Sequence, residues 1–299
     1  MGTQDEGALT RWLVRPAVRA GIWVRTRFID AAFVHRQGLR PTIGARLLKY
    51  PAIAGERLGR TVDATSQDVI FEKYHKLNSA HYKPGGRGYS TVPESSIDER
   101  RRRYLEQDSR LKHFAETFPD LLRYEDGDTF LELGCGTGQN IRWLAESFPG
   151  SRVVGVDLSD DAVGLVRDCE ESSNVAVSVG DISSPEFVRG LMLAGVDHVI
   201  LSHVFSLIFA SSVSETRALR QVLVDVMASS CRKSVIIVDH FGARGQTTIA
   251  IEQATRAVVS DDVLAYFEAR ADGRTVMARS DLSQAVMFEK HPHTIDGGV

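Results

Sequence analysis

Cysteine is scarce in this chain of 299 residues: Cys135, Cys169 and Cys231 are odd in number, far apart, and form no CxxC pair. That spacing excludes a disulfide framework and a zinc ribbon, and it suits a reducing compartment. Long apolar runs are also missing. The N-terminal stretch is broken by Arg11, Arg15, Arg19, Arg25 and Arg27. It offers neither the uncharged core of a signal peptide nor the roughly 18 apolar residues of a membrane span, so a cytoplasmic location is expected. Charge of one sign is not in excess. A net charge of -3 and a pI near 6.3 argue against a protein that coats nucleic acid, and no nucleic-acid partner is expected. The chain carries no internal repeat.

What is present is an ordinary globular composition, 43% hydrophobic and 25% charged, long enough for one generous α/β domain with an extension. Residues 1–62 are basic, with eleven Lys/Arg against four Asp/Glu, a difference of +7. Residues 63–95 are polar, aromatic and glycine-rich, and the run from Lys83 to Tyr89 (KPGGRGY) reads as a loop. From Ser96 onward the pattern becomes regular. The chain therefore divides into an extension, 1–95, and a main domain, 96–299.

Ser96-Ile97-Asp98-Glu99 has capping-box spacing and predicts a helix running to about Phe118. Thr129–Leu133 is a short apolar run ahead of a glycine-rich turn, as in a buried parallel strand. Ile141, Leu144, Ala145 and Phe148 then recur at the spacing of an amphipathic helix. Further strands are expected at 152–157, 175–179, 196–201 and 234–239, with helices over 161–169 and around 219–226. Two last strands fall at 275–278 and 284–288. Such alternation predicts an α/β fold with a doubly wound, mostly parallel sheet, preceded by a helical N-terminal extension.

The most informative segment is Leu131–Gly138 (LELGCGTG). Glycines at a strand-to-helix turn let the backbone bend sharply and approach a ligand with no Cβ in the way. The spacing of Gly134, Gly136 and Gly138 is GxGxG rather than GxGxxG, and an acid, Glu132, stands inside the strand before it. Val153–Ser159 (VVGVDLS) puts Asp157 at the end of the next strand, 19 residues after Gly138. A carboxylate there is placed to accept from both hydroxyls of a ribose. Val179–Ile182 (VGDI) ends the third strand with an acid and an apolar residue, suited to an adenine amino group and ring face.

In order and spacing these three segments resemble the cofactor motifs of class I (Rossmann-like) methyltransferases, over roughly residues 97–299. The resemblance implies S-adenosylmethionine (SAM) as cofactor. Gly134–Gly138 would cradle its methionine part, with Glu132 acting on the positively charged end. Asp157 would hold the ribose, and Asp181 with Ile182 the adenine. It also implies methyl transfer to an oxygen or nitrogen of a small-molecule acceptor, such as a glycan, lipid precursor or secondary metabolite. Two other readings compete. A nicotinamide-dependent Rossmann oxidoreductase is disfavoured by the glycine spacing and by the lack of a Ser/Tyr/Lys catalytic set. A methyltransferase-like protein that binds SAM without catalysis stays open, because no motif marks the acceptor site.

Ligands of open α/β sheets sit at the carboxyl ends of the strands, so a general base should follow the fourth or fifth strand. His203 and His240 occupy those positions. The fourth strand lacks the Asp that metal-dependent small-molecule methyltransferases often carry there, so no metal is expected. It also lacks the [DNS]-P-P-[YFW] sequence of enzymes that methylate adenine amino groups. Ahead of the domain, Tyr82 and Tyr89 flank the glycine-rich loop as candidate lid residues over cofactor and acceptor. Residues 1–62 are expected to pack as a helical cover on the catalytic domain or on a second copy of the chain in a homodimer. Peripheral contact with an anionic membrane is the alternative, raised by Trp12, Trp23, Phe28 and Phe33 among arginines.

Overall fold

The computed structural model describes residues 97–106, 108–119, 121–239, 246–251, 258–279 and 284–291. The chain separates into two units, Met1–Val62 and Asp63–Val299, and all described residues belong to the second. The expectations for residues 1–62, Tyr82, Tyr89 and His240 therefore lie outside the described residues.

Five strands, β1 (Thr129–Leu133), β2 (Arg152–Asp157), β3 (Val175–Val179), β4 (His198–Ser202) and β5 (Ser234–Asp239), pair in parallel in the order β3-β2-β1-β4-β5. The sheet continues through β9 (Gln284–Lys290), antiparallel to β5, and ends on β8 (Gly273–Arg279). The helices are α1 (Ile97–Glu106), α2 (Arg110–Thr117), α3 (Gln139–Ser147), α4 (Asp160–Cys169), α5 (Pro185–Met192), α6 (Val213–Ser230) and a short α7 (Ala265–Glu268). Among the described residues no helix is long and apolar enough to cross a membrane.

Strand alternation builds a core on each face of the sheet. Val199 and Leu201 of β4 and Val235 and Ile237 of β5 pack with Met192, Leu223 and Met227 of α5 and α6. The intervening Ile200, Ile236 and Val238 face Leu111, Phe114, Ile141 and Leu144 of α2 and α3. This is the doubly wound arrangement, with a period of two along each strand feeding opposite layers.

Serine side chains start four of the helices. Ser109, Ser159, Ser184 and Ser212 each accept from the backbone N–H three residues on, satisfying donors that the helix itself leaves unpaired. Two of these caps correct the sequence reading. The single helix expected over 96–118 is instead two, because Ser109 takes an extended conformation and caps a new start at Arg110. Helix α5 was not anticipated, although Ser184-Pro185-Glu186 is a cap, a first-turn proline and a first-turn acid. The hairpin of β6 (Gln246–Ile251) and β7 (Val258–Asp262), a separate two-stranded sheet after β5, was also missed.

At the amino ends of the strands lies a polar cluster. His198 shares a 2.8 Å hydrogen bond with Ser234 Oγ through Nδ1, and its Nε2 lies 2.9 Å from Asp128 Oδ2. Asp128 also accepts from Lys233 Nζ at 2.7 Å. The serine–histidine–aspartate order resembles a hydrolytic triad, but Ser234 is only 4% exposed and His198 3%, so no substrate reaches them. The cluster is structural. Burial lowers the His198 pKa against the opposing pull of Asp128. Burial pushes the Asp128 carboxyl up, yet the bonds from Lys233, the Glu125 backbone and His198 hold it below its usual value. Both groups thus bind fewer protons folded than unfolded. Their stabilisation is present above their ordinary pKa values and is lost as pH falls. The part of the thermal midpoint that His198 supplies is accordingly expected to decline from about pH 6.5 downward, where histidine first protonates in the unfolded chain. A melting series across pH would show it as a native-minus-variant difference, against His198→Gln, that shrinks below that pH.

Candidate functional site

The loop after β1 is built from three left-handed glycines, Gly134 (φ 76°), Gly136 (φ 52°) and Gly138 (φ 79°). At Gly134 a Cβ would stand 2.5 Å from the Val204 side chain, so the loop closes on the segment after β4 only because none is there. At Gly136 a Cβ would meet nothing within 4 Å, which leaves the backbone open to an approaching molecule. The backbone N–H groups of Gly134 and Cys135 both donate to Val156 O, at 2.7 and 3.0 Å, tying the loop to β2.

Asp157 anchors this loop from below. Its Oδ2 accepts from Gly136 N at 2.8 Å and its Oδ1 from Ser159 N at 2.9 Å, with the side chain almost fully buried. Burial raises its pKa, opposed by the N–H groups of Ser159, Gly136 and Leu158. Each oxygen keeps a further lone pair for a ligand hydroxyl. Asp181 is exposed beyond β3 and accepts from Ser183 N at 2.9 Å and Ser183 Oγ at 2.6 Å. Ile182 sits in the core cluster with Val156 and Val188, which leaves little of it to meet a ring.

Glu132 is 2% exposed. Its Oε1 accepts from Asn140 Nδ2 at 2.6 Å, and its Oε2 is buried with no partner. Burial, reinforced by Asp157 and opposed by the Asn140 bond, pushes the carboxyl up to about 8. A buried carboxyl with one oxygen unsatisfied is costly, on the order of 1–3 kcal/mol, unless a cationic or donor group meets it. Asn140 passes the connection on. Its Oδ1 accepts from Ser109 Oγ at 2.8 Å and Leu111 N at 3.2 Å, fixing the start of α2 beside the glycine loop.

Across the strand ends, His203 follows β4 with φ 57°, the one non-glycine residue with positive φ among those described. Its backbone N donates to Val238 O at 2.7 Å. Asp239, at the end of β5, accepts from Ser206 N at 3.0 Å. The β6–β7 hairpin borders this side, with β6 running beside the Phe205–Leu207 turn. A buried group holds the two together. Arg220, fully buried on α6, donates Nε to Ile208 O at 3.1 Å and Nη1 to Asp261 Oδ2 at 2.9 Å, while its guanidinium lies over the Phe205 ring at 5.0 Å. Tyr266 OH donates to the same Asp261 oxygen at 2.6 Å. Among the described residues no cluster of three His, Cys, Asp or Glu has the arrangement to hold a metal ion.

The structure thus brings Glu132, Gly134, Gly136, Gly138 and Asp157 together around one loop, with Asp181 at the neighbouring strand end and His203 beside the loop through Val204. Sequence reasoning missed Ser109 and Asn140. The polar pair flanks the loop from two helices 31 residues apart, and only the serine cap was a readable signal.

A glycine cradle at the first strand, an acid at the end of the second and the strand order β3-β2-β1-β4-β5-β9-β8 define a Rossmann-like methyltransferase fold. Residues 131–229 match the family model described as a methyltransferase domain. Over that segment, about a third of the chain, it is similar to class I methyltransferases, a family whose methyl donor is S-adenosylmethionine. Its fold is also similar to a SAM-dependent methyltransferase from Aquifex aeolicus, at 14% identity and TM-score 0.43, covering 66% of this chain and 100% of that one. A SAM-dependent methyltransferase from Anabaena variabilis gives 14% identity and TM-score 0.44, covering 75% and 94%. A TehB-like methyltransferase from Corynebacterium glutamicum gives 15% identity and TM-score 0.39, covering 65% and 100%.

Proposed function

We propose that this chain transfers the methyl group of SAM to an oxygen or nitrogen of a small-molecule acceptor. The observation that carries this reading is the loop itself. Three left-handed glycines open a backbone cradle whose centre is pinned to Asp157, and the buried Glu132 beside it has one oxygen unsatisfied. The donor set fits SAM, which carries an ammonium and a sulfonium at one end and a diol at the other. The bound cofactor supplies an electrophilic methyl carbon open to in-line displacement. Asp157 accepts from ribose hydroxyls while continuing to hold Gly136. Glu132 meets the cationic end, and Asp181 takes the adenine amino group at the exposed end of β3.

The chain's remaining task is to align the acceptor and remove its proton. His203 stands where the β4 end meets the loop, and it takes a proton from an acceptor hydroxyl through its imidazole. The 3-10 turn after it and the β6–β7 hairpin, joined through Arg220 and Asp261, form the acceptor side of the site. Residues 96–299 carry this chemistry, and residues 1–95 serve as an accessory extension.

Calorimetry tests the cofactor half: SAM and its demethylated product S-adenosylhomocysteine (SAH) should bind at micromolar levels and NAD should not. Transfer from methyl-labelled SAM, screened over hydroxyl and amine acceptors, tests the other half. Binding without transfer to any acceptor class would leave a SAM-binding protein in place of an enzyme.

A further inference from the structure

The β6–β7 hairpin pairs with no strand of the main sheet. Two paired strands by themselves are at best marginally stable in water, so the seat of the hairpin depends on what holds its ends. β7 runs directly into the core. Val263 and Phe267 are fully buried, and the Phe267 ring stacks on Phe288 of β9 at 5.5 Å. Asp261, two residues before Val263, meets Arg220 there.

A ring of four buried side chains closes around this pair. The Arg220 guanidinium lies over Phe205 at 5.0 Å and donates to Asp261 at 2.9 Å. Tyr266 donates to the same carboxylate at 2.6 Å, and its ring meets Phe205 edge-on at 5.9 Å. Arg220 Nε also donates to Ile208 O at 3.1 Å, so one plane of donors fixes the end of the turn after β4 and the end of β7 together. The start of that turn is fixed from β5, where His203 N donates to Val238 O and Ser206 N to Asp239. His203 is thus the first residue of a segment, 203–208, clamped at both ends. Such a clamp is what a left-handed backbone at a non-glycine residue needs to persist.

Stability alone does not ask for a guanidinium here. Apolar side chains of similar volume often serve as well as a buried ion pair. Arg220 Nη2 is moreover buried with no hydrogen-bond partner among the described residues, which costs stability. What the planar fork supplies instead is direction, a set angle between a backbone carbonyl and a carboxylate.

We propose that Arg220 is a positioning residue for methyl transfer, seating the hairpin against the turn and, through the turn, setting where the His203 imidazole stands. This rests on the reading of His203 as the base that takes the acceptor's proton.

The test is nuclear magnetic resonance on the full chain with isotope-labelled histidine. The His203 ring signal is the one lost in His203→Gln, and buried His198, at the other end of β4, is the control. Arg220→Met is expected to displace or split the His203 signal and to leave that of His198 in place. Hydrogen exchange at Leu207 and Ile208 should quicken roughly tenfold or more, the loss of a bond to a charged donor. Asp261→Asn alters no residue of the turn, yet it should move the same signal, because its effect travels through Arg220. Arg220→Lys keeps the charge without the plane and should move it too. SAH affinity, read by calorimetry, should stay near the native value in all three. An unmoved His203 signal in Arg220→Met overturns the proposal, as does an equal displacement of His198, which would mean general loosening. A native signal in Arg220→Lys overturns it as well, since charge alone would then suffice. If Arg220→Met fails to fold, Asp261→Asn decides by the same signal. Absence of SAH binding in the native chain would instead overturn the SAM reading, and calorimetry sees it without reference to His203.

Discussion

His203→Ala is expected to lower the methyl-transfer rate to a hydroxyl acceptor by roughly 10²–10⁴-fold while leaving SAH affinity nearly unchanged. The size is that of removing a positioned general base, and its restriction to turnover follows from where the residue stands. His203 lies beyond β4, beside the glycine loop through Val204 but outside the Asp157–Gly136 anchor that holds that loop. Its left-handed backbone costs on the order of 1–2 kcal/mol, which a residue kept only for packing would not need to bear. A second variant separates chemistry from folding. His203→Gly removes both the base and the backbone strain, so its melting temperature should hold or rise while the rate falls as in His203→Ala. The native rate should climb with pH as the imidazole loses its proton, and this limb should vanish in both variants. If the rate loss and the disappearance of the pH limb are found instead in His240→Ala, the base is His240. If neither variant loses more than about tenfold, no side-chain base acts and alignment alone drives transfer.

Asp157→Ala is expected to weaken SAM and SAH by at least roughly tenfold and to lower stability at the same time. Two backbone donors, Gly136 N and Ser159 N, lose a charged acceptor inside a site that is 3% exposed. Hydrogen bonds to charged groups contribute about 1.5–3 kcal/mol each, and an unsatisfied buried donor adds its own desolvation cost. The loop then loses the contact that holds its middle glycine, and the ribose loses its acceptor. Asp157→Asn keeps one carbonyl acceptor and should recover part of the stability, but its amide N–H groups face donors, so affinity should stay low. Calorimetry beside thermal melts checks both. Native SAH affinity in a folded Asp157→Ala protein would remove the ribose role and with it the main support for the residue-level reading.

Most of the central sheet was legible because its signals are local. β1, β2, β3 and β5 appear at the residues where apolar runs predicted them, and β4 is shifted from 196–201 to 198–202. In β4 the shift has a physical reason. Val196 and Asp197 precede the ladder, and Asp197 Oδ2 accepts from Thr129 N at 2.8 Å instead of joining a strand. The helix expected over 96–118 failed because periodicity alone does not show a break. Its two halves pack on different partners, α1 against α4 and α2 against α3. The β6–β7 hairpin was hidden for another reason. Its core-facing anchor, Asp261, is a charged residue, and its burial makes sense only with Arg220, 41 residues earlier, as partner.

By itself the sequence determined the class of the fold and the glycine loop, because glycines at fixed offsets and an acid at a strand end specify backbone conformations that few other residues adopt. Tertiary structure alone decided what surrounds that loop. Asn140 joins Glu132 to Ser109 and so sets the start of α2 at the site's edge. Burial leaves one oxygen of Glu132 without a hydrogen-bond partner, which is the feature the proposed cofactor site rests on. The Ser234–His198–Asp128 set, which looks catalytic as a list of residues, is sealed at the amino ends of the strands. Contacts between residues tens of positions apart depend on chain crossings that no local spacing encodes, and burial is a property of the whole packed domain.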